Sequence, residues 1–145
     1  MVGTAEECNR SQMRNDAASN ATTDIFIFID ADGLVKRETI LEAVECVKAG
    51  HSLVQPRTVR YLTEQTTKRI IRSPFEFPRL GKSDFIKHEV LIGEFFAVSR
   101  QTFKKIRGWD ESFTGWGGED DAFKCAIRAL VGPFKILDDT VDRKS

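Results

Sequence analysis

Two short runs of apolar residues in the first part of the chain predict strands. The run "TDIFIFID" at residues 23–30 is rich in Ile and Phe and leads into the turn residues "ADG". A continuous run of this kind predicts a strand that is buried on both faces, as in the middle of a parallel sheet. The second run, "SLVQP" at residues 52–56, predicts another strand that ends at Pro56.

The segment between these runs has the spacing of a helix. In "KRETILEAVECVKAG", residues 36–50, apolar side chains recur every three or four positions, and Gly50 supplies a stop. The apolar positions are Ile40, Leu41, Val44 and Val47. Strand, helix and strand in this order are the βαβ pattern of an α/β protein.

The second half of the chain predicts further helices and strands. A helix is expected over 59–72, a loop over 73–84, a strand over 89–100 that Gly93 interrupts, and a last strand over 134–137. Ser99 is a candidate N-cap for a helix that stops at Gly108. A final helix is expected over 119–132, with one apolar face made by Phe123, Ala126, Ile127 and Leu130.

Composition narrows the class of protein. At 145 residues with 41% hydrophobic residues, the chain is one globular domain or part of one. Acidic and basic residues balance at 22 each, which argues against non-specific nucleic-acid binding, and no apolar run is long enough for a membrane span. The three cysteines, Cys8, Cys46 and Cys125, are odd in number and widely spaced, so we expect reduced thiols and a cytoplasmic protein.

The first candidate site is Asp30-Ala31-Asp32, directly after the first predicted strand. The carboxyl ends of strands in an open α/β sheet form the crevice where ligands bind. Two aspartates at i and i+2 can offer oxygen ligands to one hard cation, Mn²⁺ or Mg²⁺, which in turn would hold nucleotide phosphates. The alternative is an ordinary polar turn, for which aspartate is also favoured.

The second candidate site lies in "GWGGEDD", where Glu119, Asp120 and Asp121 open the final helix. Negative charge is favourable at a helix N-terminus, and this alone would explain the carboxylates. It does not explain the aromatic and glycine residues just before them: Gly115, Trp116, Gly117 and Gly118. A glycine-hinged loop with an aromatic side chain suits closure over a sugar ring, and a carboxylate behind it suits a general base.

With both motifs in view, the chain resembles a glycosyltransferase of the GT-A fold, the Rossmann-like fold of nucleotide-diphospho-sugar transferases. The segment "RNDAASNATTDIFIFIDAD" is similar to the family's stretch of an Arg-Asn pair, a short helix and an apolar strand before its D-x-D motif. The segment "GEFFAVSRQTFKKIRGWDESFTGWGGEDDAF" is similar to the C-terminal block of β-1,4-galactosyltransferases, polypeptide GalNAc-transferases and bacterial chondroitin-type polymerases. The likeness runs from about residue 14 to about residue 137.

The resemblance implies a role for each matching position. Asp30 and Asp32 would bind Mn²⁺ or Mg²⁺ and, through it, the donor diphosphate. In an inverting enzyme Asp120 would be the catalytic base. The likeness to galactosyltransferases and polymerases favours inversion, and the likeness to GalNAc-transferases leaves retention open. The other positions that it assigns to substrate binding are Arg14, Gly93, Trp116, Gly118, Glu119 and Asp121. The implied reaction is transfer of a hexosyl or N-acetylhexosaminyl group from a nucleotide-sugar, UDP-linked, to an acceptor hydroxyl, as in polysaccharide biosynthesis.

Two departures from the family pattern lead to further expectations. Only 23 residues precede Asp24, fewer than the roughly 30 that a βαβ unit needs, so residues 1–145 are expected to be a single partial catalytic domain without its N-terminal βαβ part. No histidine follows the last predicted strand, where many relatives place a metal ligand. A non-catalytic remnant or interaction module, paired with another copy or its missing half, is therefore the alternative function, and a nucleotidyltransferase ranks last.

Overall fold

The computed structural model describes residues 9–72, 79–90, 93–115 and 117–143. The helices are α1 (Arg10–Asn20), α2 (Arg37–Lys48), α3 (Glu64–Arg72), α4 (Arg100–Lys105) and α5 (Glu119–Leu130), with a 3-10 turn at Lys82–Asp84. The strands are β1 (Ile25–Ile29), β2 (Gly33–Leu34), β3 (Val54–Leu62), β4 (Phe85–Val90), β5 (Phe95–Ser99) and β6 (Lys135–Arg143).

These strands form one mixed sheet in the order β1-β5-β3-β6-β2, and β4 also pairs with β3. Strand β5 is antiparallel to both β1 and β3, so β1 and β3 run in the same direction. Strand β6 is parallel to β3. The predicted α/β class and the unit β1-α2-β3 are therefore confirmed, with β5 inserted between the two strands of that unit.

The burial predicted for the first strand is wrong. Strand β1 lies at one end of the described strand order and pairs with β5 in antiparallel fashion. Phe26 is its one buried side chain, and Ile29 is 40% exposed. A five-residue apolar run has no periodicity that separates a central strand from one at the end of a sheet, and here the sheet order decided.

Three predicted boundaries in the middle of the chain also need correction. Strand β3 continues through Pro56 to Leu62, so the helix expected over 59–72 begins only at Glu64. Residues expected to form one strand around Gly93 belong to two, β4 and β5, which pair with β3. Pro56 is tolerated because its ring removes a single ladder donor at a point where the register of β3 against β6 shifts.

Helices pack on both faces of the sheet over two apolar clusters. The cluster under α1, α4 and α5 is aromatic, whereas the cluster under α2 is built from smaller side chains around Ala43 and Val47. On α2, Leu41 is exposed although its spacing predicted burial. On α5, Phe123 and Ile127 are buried as predicted, but Leu130 is exposed in the last turn. None of the described helices is both long and apolar enough to cross a bilayer.

Candidate active site

A cavity of about 440 Å³ lies where the carboxyl end of β1, the start of β5 and the start of α5 meet. It is the place where an open α/β sheet binds its ligands. The predicted positions Asp30, Gly93, Gly118, Glu119, Asp120 and Asp121 all line it. The other described lining residues are Arg10, Tyr61, Lys87, Glu89, Glu94 and Gly117.

Helix α1 carries two arginines into this site. The helix begins after Asn9, whose side chain accepts a hydrogen bond from the N–H of Gln12 at 2.9 Å. Arg10 and Arg14 stand four residues apart and so project from the same face of the helix. The Arg10 guanidinium donates to Glu119 Oε1 at 3.0 Å and to both carboxylate oxygens of Asp30 at 3.3 Å. Arg10 thus joins the end of β1 to the start of α5.

Arg14 makes the second set of bonds across the site. Its guanidinium donates to Asp120 Oδ1 at 3.0 Å and to Asp30 Oδ1 at 3.3 Å. The same guanidinium lies 4.2 Å above the centre of the Trp109 ring, in cation–π geometry. The Trp109 ring in turn stacks on Phe123 with centroids 3.9 Å apart. The aromatic cluster therefore forms the floor that orients Arg14.

Asn15, next to Arg14, explains why an Arg-Asn pair occurs here. Its side chain accepts a hydrogen bond from the Trp109 N–H and donates one to the Trp109 carbonyl, both at 2.9 Å. A Cβ atom at Gly108 would lie only 2.5 Å from Asn15 Oδ1, and Gly108 has a φ of 73°. Glycine is required at this position for both reasons. The pair thus fixes the loop before α5, and with it the position of Trp109.

Gly93 provides the space that Asp120 occupies. A Cβ atom built on Gly93 would lie 1.8 Å from Asp120 Oδ2, a distance that two atoms cannot share. The Asp120 carboxylate therefore lies directly against the backbone of β5's leading loop. That Gly93 lines the donor-sugar pocket stays a prediction. The structure explains why this residue is glycine, because any side chain here would clash with the Asp120 carboxylate.

Burial raises the pKa of Asp120 to about 6. This value is the balance of several effects: burial is the largest, the charge and hydrogen bond of Arg14 lower the pKa, and the neighbouring carboxylates of Glu119 and Asp30 raise it. A carboxylate whose pKa is near neutrality is a stronger base than an exposed carboxylate with an ordinary pKa. Asp120 is thus ionised at pH 7 and still basic enough for general-base catalysis.

The glycine-rich loop before α5 has the backbone that glycine permits. Gly115, Gly117 and Gly118 have φ values of 80°, 104° and 88°, all in the left-handed region. Gly118 is also the N-cap of α5, and a Cβ there would lie 2.9 Å from the Phe113 ring. Trp116, the predicted aromatic residue of the loop, lies outside the described residues. The predicted closure of this loop over a sugar stays a prediction.

The three carboxylates at the start of α5 differ in their burial and in their partners. Glu119 is buried and Asp120 is partly buried, and both point to the arginines of α1. The Asp121 side chain is 70% exposed and pairs with Lys124 one helical turn on at 3.0 Å. Asp121 therefore lies at the rim of the cavity, where its predicted acceptor contact would be made from the solvent side.

The predicted metal ligands stand on the turn that follows β1. The Gly33 N–H donates to the Asp30 carbonyl at 2.8 Å, so the chain reverses directly after Asp30, and Asp32 is not among the residues that line the cavity. No group of three or more potential ligand residues comes together among the residues that the structure describes. Two guanidinium groups already bind Asp30, so a metal ion at this position would share the carboxylate with Arg10 and Arg14. Oxygen ligands with excess negative charge fit Mn²⁺ or Mg²⁺.

Sequence reasoning missed four charged residues that line the cavity: Arg10, Lys87, Glu89 and Glu94. A signal for Arg10 existed, because it stands four residues before Arg14 and a helix brings the two side chains to one face. Glu94 carried no signal, because its position inside an apolar strand pattern predicts only that one polar side chain is present. It is 6% exposed and lines the cavity.

A charged crevice at the carboxyl end of a strand is where open α/β sheets bind their ligands, and family comparison narrows the class of protein. The model for glycosyl transferase family 2 matches residues 6–107, so the chain belongs to that family. A second model, described as the N-terminal domain of galactosyltransferase, matches residues 85–131. A search of curated proteins found no match.

Two solved structures show the same fold. GalNAc-T7 in a crystal structure with UDP, GalNAc and Mn²⁺ matches at a TM-score of 0.64 and 18% identity, covering 94% of this chain and 30% of that one. A mutant of Drosophila β-1,4-galactosyltransferase 7, in complex with manganese, UDP-Gal and xylobiose, matches at 0.53 and 20% identity, covering 90% and 45%. The predicted GT-A fold is confirmed, and the chain spans less than half the length of either relative.

Proposed function

We propose that this chain forms the catalytic part of a glycosyltransferase that moves a sugar from a UDP-sugar to an acceptor hydroxyl. Family membership and fold support the reaction class. The observation that carries the proposal is the arrangement of Asp120, a partly buried carboxylate of raised pKa, in the same cavity as Asp30 of the D-x-D motif. Asp120 as the base and Asp30 as the donor-binding carboxylate would thus face the same bound sugar.

The proposed reaction exchanges one bond at the anomeric carbon for another. The acceptor oxygen forms a bond to that carbon, the bond from the carbon to the diphosphate oxygen breaks, and the hydroxyl proton passes to Asp120. Arg14 favours the ionised form of Asp120 and so maintains the base. A base on the acceptor side suits attack opposite the leaving group, and we therefore propose inversion of configuration.

Asp30 and Asp32 would hold a divalent metal ion. When bound, the ion would neutralise charge on the diphosphate. Both related structures contain Mn²⁺, and the oxygen ligands suit Mg²⁺ as well. Arg10 and Arg14 add two further cations at the same end of β1, where a diphosphate would lie. The cytoplasmic location and pairing with a partner stay predictions.

Isothermal titration calorimetry of UDP with the 145-residue chain tests the proposal. We expect binding in the presence of Mn²⁺ and at least tenfold weaker binding without it. Asp32→Ala should abolish the metal-dependent binding. Asp24→Ala is the matched control, because it removes an exposed aspartate at the opposite end of the same strand. Absence of UDP binding with Mn²⁺ would contradict the proposed donor site and favour a non-catalytic module.

A further inference from the structure

Five charged side chains form one network of ion pairs at the carboxyl end of β1. Its members are three carboxylates and two guanidinium groups: Asp30, Glu119, Asp120, Arg10 and Arg14. With all of them ionised, the network carries more negative than positive charge. Both arginines contact the same oxygen atom of Asp30, Oδ1. A cation that binds Asp30 is thus attracted by the excess of carboxylates and meets the two guanidinium groups.

The two arginines differ in how firmly they are held. The Arg14 guanidinium lies 4.2 Å above the centre of the Trp109 ring, and its side chain is 14% exposed. The Arg10 side chain is 30% exposed. Its Nη1 donates to Glu119 at 3.0 Å, whereas its Nη2 donates to the two Asp30 oxygens at 3.3 Å, longer than a typical charge-assisted bond. Arg10 can therefore release Asp30 and keep its bond to Glu119.

Arg10 occupies the oxygen atoms that a metal ion would need. A carboxylate offers roughly four acceptor positions, and on Asp30 two of these accept from Arg10 and one from Arg14. A divalent ion that binds Asp30 would also lie beside a guanidinium group of like charge, and the two would repel each other. Binding of the ion thus favours departure of the more loosely held group, which is Arg10 Nη2.

We propose that Arg10 is a donor-binding residue that couples the metal ion to the diphosphate. It competes with the divalent ion for Asp30. Once Nη2 leaves Asp30, it binds a phosphate of the nucleoside diphosphate while Nη1 stays on Glu119. The paired N–H groups of a guanidinium match phosphate oxygens in a way that an ammonium group does not. This inference rests on the proposed function and deepens it, because it assigns metal competition and diphosphate recognition to one side chain.

Two titrations of Arg10→Met test this coupling, because the inference gives them opposite signs. Binding of Mn²⁺ alone, followed by electron paramagnetic resonance of the free ion, should become about tenfold tighter once the competing cation is removed. Binding of UDP at saturating Mn²⁺, followed by calorimetry, should become about tenfold weaker once the phosphate partner is removed. A merely structural role of Arg10 would weaken both or change neither.

Lys104→Met is the matched control. It removes one exposed positive charge on α4, the helix that follows the end of β5. That end of β5 pairs with the start of β1, whereas Asp30 follows the end of β1, so Lys104 lies away from the network. Both affinities should stay within about twofold of the wild type.

A second variant, Arg10→Lys, separates charge from geometry. It keeps a cation near Asp30, so the affinity for Mn²⁺ should stay within about threefold of the wild type. A single ammonium nitrogen must then serve both Glu119 and the phosphate, so UDP should still bind more weakly. Thermal unfolding of each variant checks that it is folded.

The outcomes separate this inference from the proposed function. Unchanged or weaker Mn²⁺ binding in Arg10→Met would overturn the inference and leave the proposed function standing. Wild-type affinity for UDP in either Arg10 variant would do the same. Absence of UDP binding to the wild-type chain with Mn²⁺ would overturn both.

Discussion

Two aspartates in this protein each bind an arginine, and yet their chemistry differs. Asp84 stands beside a cavity of about 750 Å³ between α3 and the 3-10 turn, and it accepts from Arg69 at 3.0 Å. Asp120 accepts from Arg14 at the same distance in the candidate active site. The Gly81 N–H and the Thr66 hydroxyl hold the pKa of Asp84 below its ordinary value, whereas burial raises the pKa of Asp120 to about 6.

The difference shows that an arginine partner does not by itself decide what a carboxylate does. Asp84 has neutral donors that favour its ionised form: the Gly81 N–H at 2.8 Å and the Thr66 hydroxyl at 2.7 Å. Asp120 instead shares its surroundings with Glu119 and Asp30, and part of it is shielded from water. The first arrangement stabilises a turn, and the second suits the base that we propose.

The largest expected effect comes from Asp120→Asn. The amide retains the shape of the side chain but cannot accept the hydroxyl proton, so the rate of sugar transfer should fall about 10²–10⁴-fold. Asp84→Asn makes the same chemical change at the other arginine and should alter the rate less than about threefold. Initial rates of UDP release from a UDP-sugar and acceptor measure both. Equal losses in the two variants would refute the role of Asp120 as base.

The second prediction uses the two glycines that face these aspartates. Gly93→Ala places a methyl group where Asp120 Oδ2 lies, so it should displace the carboxylate and lower the transfer rate about 100-fold. A Cβ atom at Gly81 would lie 3.9 Å from Asp84 Oδ2, an ordinary contact, so Gly81→Ala should leave the rate unchanged within about twofold. Initial rates of UDP release measure the activity of both variants. A fully active Gly93→Ala variant would show that Asp120 does not need its observed position.

The third prediction concerns the arginines. Arg14 lowers the pKa of Asp120, so this pKa should rise in Arg14→Met. The acidic limb of the pH profile of kcat/KM should therefore move to higher pH, and the rate at neutral pH should fall about tenfold. Arg69→Met should leave the pH dependence of kcat/KM unchanged and should lower the free energy of unfolding only slightly, because its ion pair with Asp84 is exposed. A pH–rate profile for each variant tests this. An unmoved limb in Arg14→Met would contradict the electrostatic account.

The smallest expected effect is on the pH dependence of stability. The folded-state pKa of Asp120 is raised, so the stability that it contributes is present below pH 4 and is lost as the pH rises through about 6. Relative to Asp120→Asn, the wild type should lose about 1 kcal/mol over this range, allowing for solvent screening. Asp84 has the opposite sign, since its pKa is lowered and its contribution is lost as the pH falls. Urea unfolding at pH 4 and pH 7 measures the difference for Asp120, and comparison of pH 4 with a lower pH measures the one for Asp84.

The sequence predicted the fold where long motifs constrained it. The Ser99 cap and the start of α5 lie where they were predicted, because caps and glycine-rich loops have local signals. The position of strand β1 within the sheet was predicted wrongly, because a short apolar run has the same pattern in a central strand and in a strand at the end of a sheet. Leu41 and Leu130 were expected to be buried, but helix spacing alone does not fix how wide the buried face is.

The site was predictable in part for similar reasons. Asp30 and Asp120 stood in motifs, and their convergence was implied by the family resemblance. The presence of Glu94 in the site could not be predicted, because it depends on which backbone groups meet at the start of β5. No periodic pattern in the sequence indicates that. The raised pKa of Asp120 depended on its burial and, besides the adjacent Glu119, on the carboxylate of Asp30, which is far away in sequence; neither the burial nor the approach of Asp30 can be derived from composition or spacing.

The central claim, that this site makes Asp120 a base, is tested most directly by NMR titration of the side-chain carboxyl carbons. With ¹³C-labelled aspartate and assignment from Asp120→Asn and Asp84→Asn, the account predicts that Asp120 titrates with a pKa near 6, while Asp84 titrates below 3.8. A pKa below 4 for Asp120, with Asp84 titrating alongside it, would contradict the account.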